Sequence, residues 1–106
     1  MPTVSGTVNL VANVKSANQL ADKIFRVIPR GAAVRLMCVG STSTVKATLF
    51  IGGTLLVDDS LINLRATAPL EPDDIMMGWT RTPGGEIILT FISPTADTVR
   101  WKVDVG

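Results

Sequence analysis

The chain has 106 residues, of which 46% are hydrophobic and only 18% charged, and ten Lys and Arg against nine Asp and Glu leave a formal net charge of +1. A chain of this length has room for a single core, so one domain spanning 1–106 is expected. With no histidine, no tyrosine and one cysteine, the usual acid–base, nucleophilic and metal-binding constellations cannot be assembled.

Residues 4–14 place Val4, Gly6, Val8, Leu10, Ala12 and Val14 on one face and Ser5, Thr7, Asn9 and Asn13 on the other, the alternation of a half-buried strand. The period is lost over 16–23, where Ser16 could cap about two helical turns, so a short helix or a compact loop is expected there. Extension resumes over 24–29, and Pro29-Arg30-Gly31 turns the chain into a strand over 32–40. Gly52-Gly53 is a two-residue hairpin loop, because both positions can take positive φ without strain. It joins 44–51 to 54–59 and pairs Leu49 with Leu56, Phe50 with Leu55 and Lys46 with Asp59.

A further short strand is expected over 61–65, followed by an irregular stretch over 66–74 whose two prolines deny a central strand. Pro83-Gly84-Gly85 reads as a bulged hairpin loop joining 75–82 to 86–93, with Trp79 opposite Leu89 and Met77 opposite Phe91. In that register Ile75, Met77, Trp79, Ile87, Leu89 and Phe91 face the core. Met76, Gly78, Ile88, Thr90 and Ile92 point the other way and form a candidate interface, which either meets a second subunit, the preferred reading, or lies beneath a loop of the same chain. Val99, Trp101, Val103 and Val105 alternate with polar residues in the last strand, which has one wet face. About eight short strands with no βαβ rhythm predict an all-β chain, a sandwich or barrel, and a single antiparallel β-sandwich with at most one short helix near 16–23 is expected.

No catalytic, cofactor-binding or metal-binding residue is assigned. Three acidic clusters stand out, Asp58-Asp59, Glu71 with Asp73-Asp74, and Asp97 with Asp104; adjacent Asp58 and Asp59 would point to opposite faces of a strand, so alone they make a poor cation cage. Glu71, Asp73 and Asp74 in the proline stretch are the best ligands a metal would find. Trp79 and Trp101 read as core residues rather than ligand platforms, and Cys38 as a buried small hydrophobe. The basic residues are scattered from Lys15 to Lys102, which argues against nucleic acid as a partner. No apolar run reaches the roughly 18 residues of a membrane span, and residues 1–6 carry no signal-peptide pattern. The chain is therefore expected to be made in the cytoplasm, with no membrane association and no small-molecule substrate.

Three stretches carry a resemblance: Ala68-Pro69-Leu70-Glu71-Pro72-Asp73-Asp74-Ile75, then Gly85-Glu86-Ile87-Ile88-Leu89-Thr90-Phe91, then Thr98-Val99-Arg100-Trp101-Lys102-Val103. Together, over about the last third of the chain, they resemble the end of small jelly-roll virion proteins of bacteriophages. That resemblance implies a jelly-roll-like form of the sandwich and a non-enzymatic structural virion protein, a capsid decoration, cement or vertex component, whose partners are copies of itself and a major capsid protein. The chain lacks the paired C-terminal helices of the small RNA-phage coat proteins. A carbohydrate- or receptor-binding sandwich, with contacts made by loops 66–74 and 94–97, is the second reading.

Overall fold

In a computed structural model, residues 3–21, 23, 26–41, 44–64 and 74–106 are described. Nine strands follow in order: β1 (Thr3–Leu10), β2 (Val27–Ile28), β3 (Ala33–Gly40), β4 (Lys46–Ile51), β5 (Thr54–Leu61), β6 (Asn63–Leu64), β7 (Ile75–Arg81), β8 (Gly85–Ile92) and β9 (Asp97–Val105). They form two sheets. Sheet A runs β1-β9-β3, with β6 and β7 both on the far side of β3, and sheet B runs β2-β8-β4-β5. All pairings are antiparallel except that of β6 with β3.

The pairing is nested. β1 pairs with β9, β2 with β8, β3 with β7 and β4 with β5, as though one long antiparallel hairpin had been rolled so that successive pairs alternate between sheets. The further pairs β9–β3 and β8–β4 close each sheet. This is the jelly-roll form of the β-sandwich, and the expected fold class is the one found. Its core lies between the inward rows of four central strands. Val34, Leu36 and Cys38 of β3 and Val99, Trp101 and Val103 of β9 face Ala47, Leu49 and Ile51 of β4 and Ile87, Leu89 and Phe91 of β8, and all are buried.

Several local expectations are corrected. β1 stops at Leu10, and Val11 and Val14 are exposed, because Asn13 takes φ 59° and donates its N–H to the Ser93 carbonyl at 2.7 Å. The described residues of 16–23 form a loop rather than a helix. Ser16 does not cap a helix: its N–H donates to the Phe91 carbonyl at 2.8 Å and its Oγ accepts from the Phe91 N–H at 2.9 Å. Hydroxyl and amide side chains compete with helix formation in this way.

The Gly52-Gly53 hairpin forms with Phe50 opposite Leu55, but irregularities in the register put Leu49 opposite Val57 and Lys46 opposite Leu61. Asp59 therefore does not meet Lys46; it takes φ 44° and accepts a hydrogen bond from Thr48 Oγ1 at 3.0 Å. The Pro83-Gly84-Gly85 hairpin is not formed. β7 leaves sheet A and β8 enters sheet B, so the turn is a crossover between layers, and neither Trp79–Leu89 nor Met77–Phe91 is a pair. Gly84 is needed there for its φ of 78°, and an added Cβ would sit 2.4 Å from the Arg30 nitrogen. The expected strand over 61–65 is found as β6, whereas residues 66–73 lie outside the described set.

Candidate interaction surface

Two outward faces are available. On sheet B, the register of β8, β4 and β5 builds three cross-strand rows. Ile88 lies opposite Phe50, which lies opposite Leu55; Thr90 lies opposite Thr48; Ile92 lies opposite Lys46, which lies opposite Leu61. Ile88 is 37% exposed, Leu55 42% and Leu61 62%, so the first row is apolar and the third has apolar ends on either side of Lys46; between them Thr90 and Thr48 are buried, and Thr48 bonds to Asp59. Val27 extends the apolar rows on the β2 side, where its partner is Glu86. The result is a face of apolar side chains interspersed with Lys46 and Asp59 and bounded on the β2 side by Glu86, a composition suited to meeting another molecule.

The five residues expected to share an interface are divided. Ile88, Thr90 and Ile92 lie on this face of sheet B, while Met76 and Gly78 lie on β7 in sheet A, with Met76 packed against the core and Gly78 exposed. The division follows from the crossover at Gly84-Gly85. Phe50, Leu55 and Leu61 complete the face and were not anticipated. Their signal was the hairpin register itself, which paired Phe50 with Leu55; only the placement of β4 beside β8 was out of reach.

The outward face of sheet A is mixed: Met37 and Val39 of β3 lie on it and are buried, Ile75, expected in the core, is exposed opposite Met37, and the part around Asp104 is polar. Asp104 of β9 accepts from Thr3 Oγ1 at 2.5 Å and from Arg35 Nε and Nη2 at 2.9 and 2.6 Å, and Lys102 Nζ lies 3.8 Å away. Arg35 in turn stacks on the Trp79 ring, 5.1 Å from its centroid. A ladder of Thr3, Asp104, Arg35 and Trp79 thus spans four strands. Burial would push the Asp104 carboxyl up, but the hydrogen bonds from Thr3 and Arg35 and the charges of Lys102 and Arg35 outweigh it and hold the carboxyl below its ordinary range. Trp79, expected in the core, is 43% exposed because β7 pairs with β3 through two register shifts that turn the indole outward over Arg35. Trp101, at 1% exposure, is core as expected.

The acidic residues are dispersed. Asp97 accepts from the Thr98 and Ser41 amides at 2.8 and 3.4 Å, and buried Asp74 accepts from Asn63 Nδ2 at 3.2 Å. Among the described residues no three His, Cys, Asp or Glu side chains come together as a metal site; Glu71 and Asp73 lie outside that set. Cys38 is fully buried, and that burial, with the nearby Asp74 charge, pushes its thiol far up and makes it a poor nucleophile. No helix among the described residues is long and apolar enough to cross a membrane. Comparison with protein-family models, with curated proteins and with solved structures finds no match.

Proposed function

We propose that this chain is a non-enzymatic structural assembly protein, a virion component of the capsid decoration, cement or vertex kind, which self-associates and docks on a lattice of a major capsid protein. The observation that carries the reading is the apolar outer face of sheet B, where Ile88, Phe50 and Leu55 stand in one row and Ile92 and Leu61 flank the next. Jelly rolls recur in viral capsid proteins, which supports the virion setting by analogy.

The test is mass spectrometry of purified virus particles from the host that carries this sequence. Recovery of the chain in fixed ratio to the major capsid protein is expected, and its absence from particles overturns the reading. Re-addition of purified protein to particles stripped of it then examines the face: Ile88→Lys places a charge in the dry contact and should weaken binding by tenfold or more.

A second reading, a carbohydrate- or receptor-binding head, is favoured by the exposure of Trp79. Quenching or shift of tryptophan fluorescence on glycan titration, lost in Trp79→Ala, would replace the first reading with the second.

A further inference from the structure

The sheet edges are unequally defended. The edge of β8 beyond the two residues of β2 is occupied by an irregular segment that reproduces a strand's hydrogen bonds. Arg26 and Gln19 supply backbone groups to Ile87 and Leu89, Asn18 spans Ile87 and Leu89 with its side-chain amide, and Ser16 serves both groups of Phe91. β5 carries Asp58 and Asp59 together with irregular register and a positive φ at Asp59, and β7 carries two register shifts. Charges and bulges of this kind are how proteins prevent edge-to-edge pairing.

β1 has none of these devices. It runs eight residues with unbroken register against β9, without charge or proline, and no described strand lies on its other side. The direction of its backbone groups is fixed by Ala33 and Gly106, which exchange both hydrogen bonds at 3.1 and 2.8 Å. Gly106, Asp104, Lys102 and Arg100 therefore turn their backbone groups to β3, and Val103, Trp101 and Val99 turn theirs to β1. Their partners Val4, Gly6 and Val8 face β9, so the N–H and C=O groups of Ser5, Thr7 and Asn9 point away from the sheet. The inward row is also unfinished: the inward residues of β9 and β3 are buried, whereas Val4, Gly6 and Val8 remain half-buried.

We infer that β1 pairs antiparallel with β1 of a second copy about a twofold axis at Thr7, joining two A sheets into one. The inference rests on the self-association in the proposed function and assigns it a surface. A second copy is the occupant because the strand is uncharged and so can face itself without like-charge opposition, which β5 with its two aspartates cannot. A twofold axis at Thr7 uses the strand from Val4 to Leu10 in full. It opposes Ser5 to Asn9 of the other copy in hydrogen-bonded pairs and sets Val8 of each copy beside Gly6 of the other, where the Trp101 indole lies against the glycine. The second copy's inward row would then cover the half-buried Val4 and Val8.

The experiment is solution mass by light scattering on the parent, Thr7→Pro and Thr7→Cys. The parent should run as an even multiple of the 11.3 kDa chain. Thr7→Pro removes one outward N–H that serves no bond among the described residues, a change edge strands tolerate, and should halve the mass with an unchanged circular dichroism spectrum. Thr7→Cys should give a disulfide-linked dimer on mild oxidation, because residues in a hydrogen-bonded antiparallel pair have Cα atoms about 5.5 Å apart, within disulfide range. Thr54→Cys on β5 should not, and buried Cys38 does not interfere. An oligomeric parent whose mass survives Thr7→Pro, or whose Thr7→Cys form does not cross-link, overturns the edge and leaves self-association standing. A parent that stays monomeric at high concentration overturns both. If Thr7→Pro unfolds, the cross-link decides.

Discussion

Trp101 shows how tightly the inward row of sheet A is fitted. It is paired with Gly6, and a Cβ added there would sit 2.7 Å from its Cζ2 and 2.9 Å from its Cε2. Gly6→Ala removes a strand glycine, a gain of about 0.5–1 kcal/mol, but overpacks the contact at about 1–3 kcal/mol. A net loss of stability is expected in urea titration; a variant as stable as the parent would mean that the indole shifts at little cost. Asp104 is the corresponding polar position. Its carboxyl is held below its ordinary range, so its contribution is present above the unfolded value of about 3.9 and is lost as pH falls through the folded value. Asp104→Asn should lose roughly 2–3 kcal/mol at neutral pH, since Arg35 keeps its charge without its partner. The variant's melting temperature should also fall less than the parent's between about pH 5 and about pH 2. Parallel acid profiles would refute this role. Trp101 was legible in the sequence because strict alternation placed it with Val99 and Val103. Trp79 was not, because a bulge reverses alternation and leaves no mark in composition.

At the scale of elements, the segment that edges β8 replaces a strand by side chains. Asn18 Oδ1 accepts from the Leu89 N–H at 3.0 Å and from the Leu20 N–H at 3.1 Å, while its Nδ2 donates to the Ile87 carbonyl at 3.1 Å. Asn18→Ala strips these partners from β8 together and should cost about 1–3 kcal/mol. Hydrogen exchange at the Leu89 amide should accelerate with it, and unchanged protection there would show that another group takes over. The sequence marked this stretch by loss of period, which told that it was not a strand but not what it bonded to. Glycine pairs were legible in the same partial way. Gly52-Gly53 and Gly84-Gly85 both gave turns, but only the first returns the chain to its own sheet, and nothing in a turn dipeptide distinguishes a hairpin from a crossover. The candidate face was half legible for that reason: alternation within β8 placed Ile88 and Ile92 outward correctly, and the misplaced crossover put Met76 and Gly78 beside them.

For the whole molecule, nested pairing has a kinetic consequence. β4 and β5 pair across two residues, whereas β1 must wait for β9, some ninety residues later in the chain. Non-local pairs have a greater loop-closure cost before any contact compensates it, so folding in milliseconds to seconds is expected. The order in which pairs form should then follow the nesting outward, with the β4–β5 hairpin early and the β1–β9 pair late. Gly53→Ala tests the first step: its φ of 83° strains any side chain, at about 1–2 kcal/mol, while an added Cβ meets no neighbour, so the effect is confined to the turn. Gly6→Ala tests the last, since its clash is with Trp101 across β1 and β9. In stopped-flow chevrons Gly53→Ala should chiefly slow folding and Gly6→Ala should chiefly speed unfolding. The reverse assignment would mean that the outer pair closes first, by collapse of Trp101 and the β9 valines onto β1, and that the rolled hairpin describes the finished molecule but not the route to it.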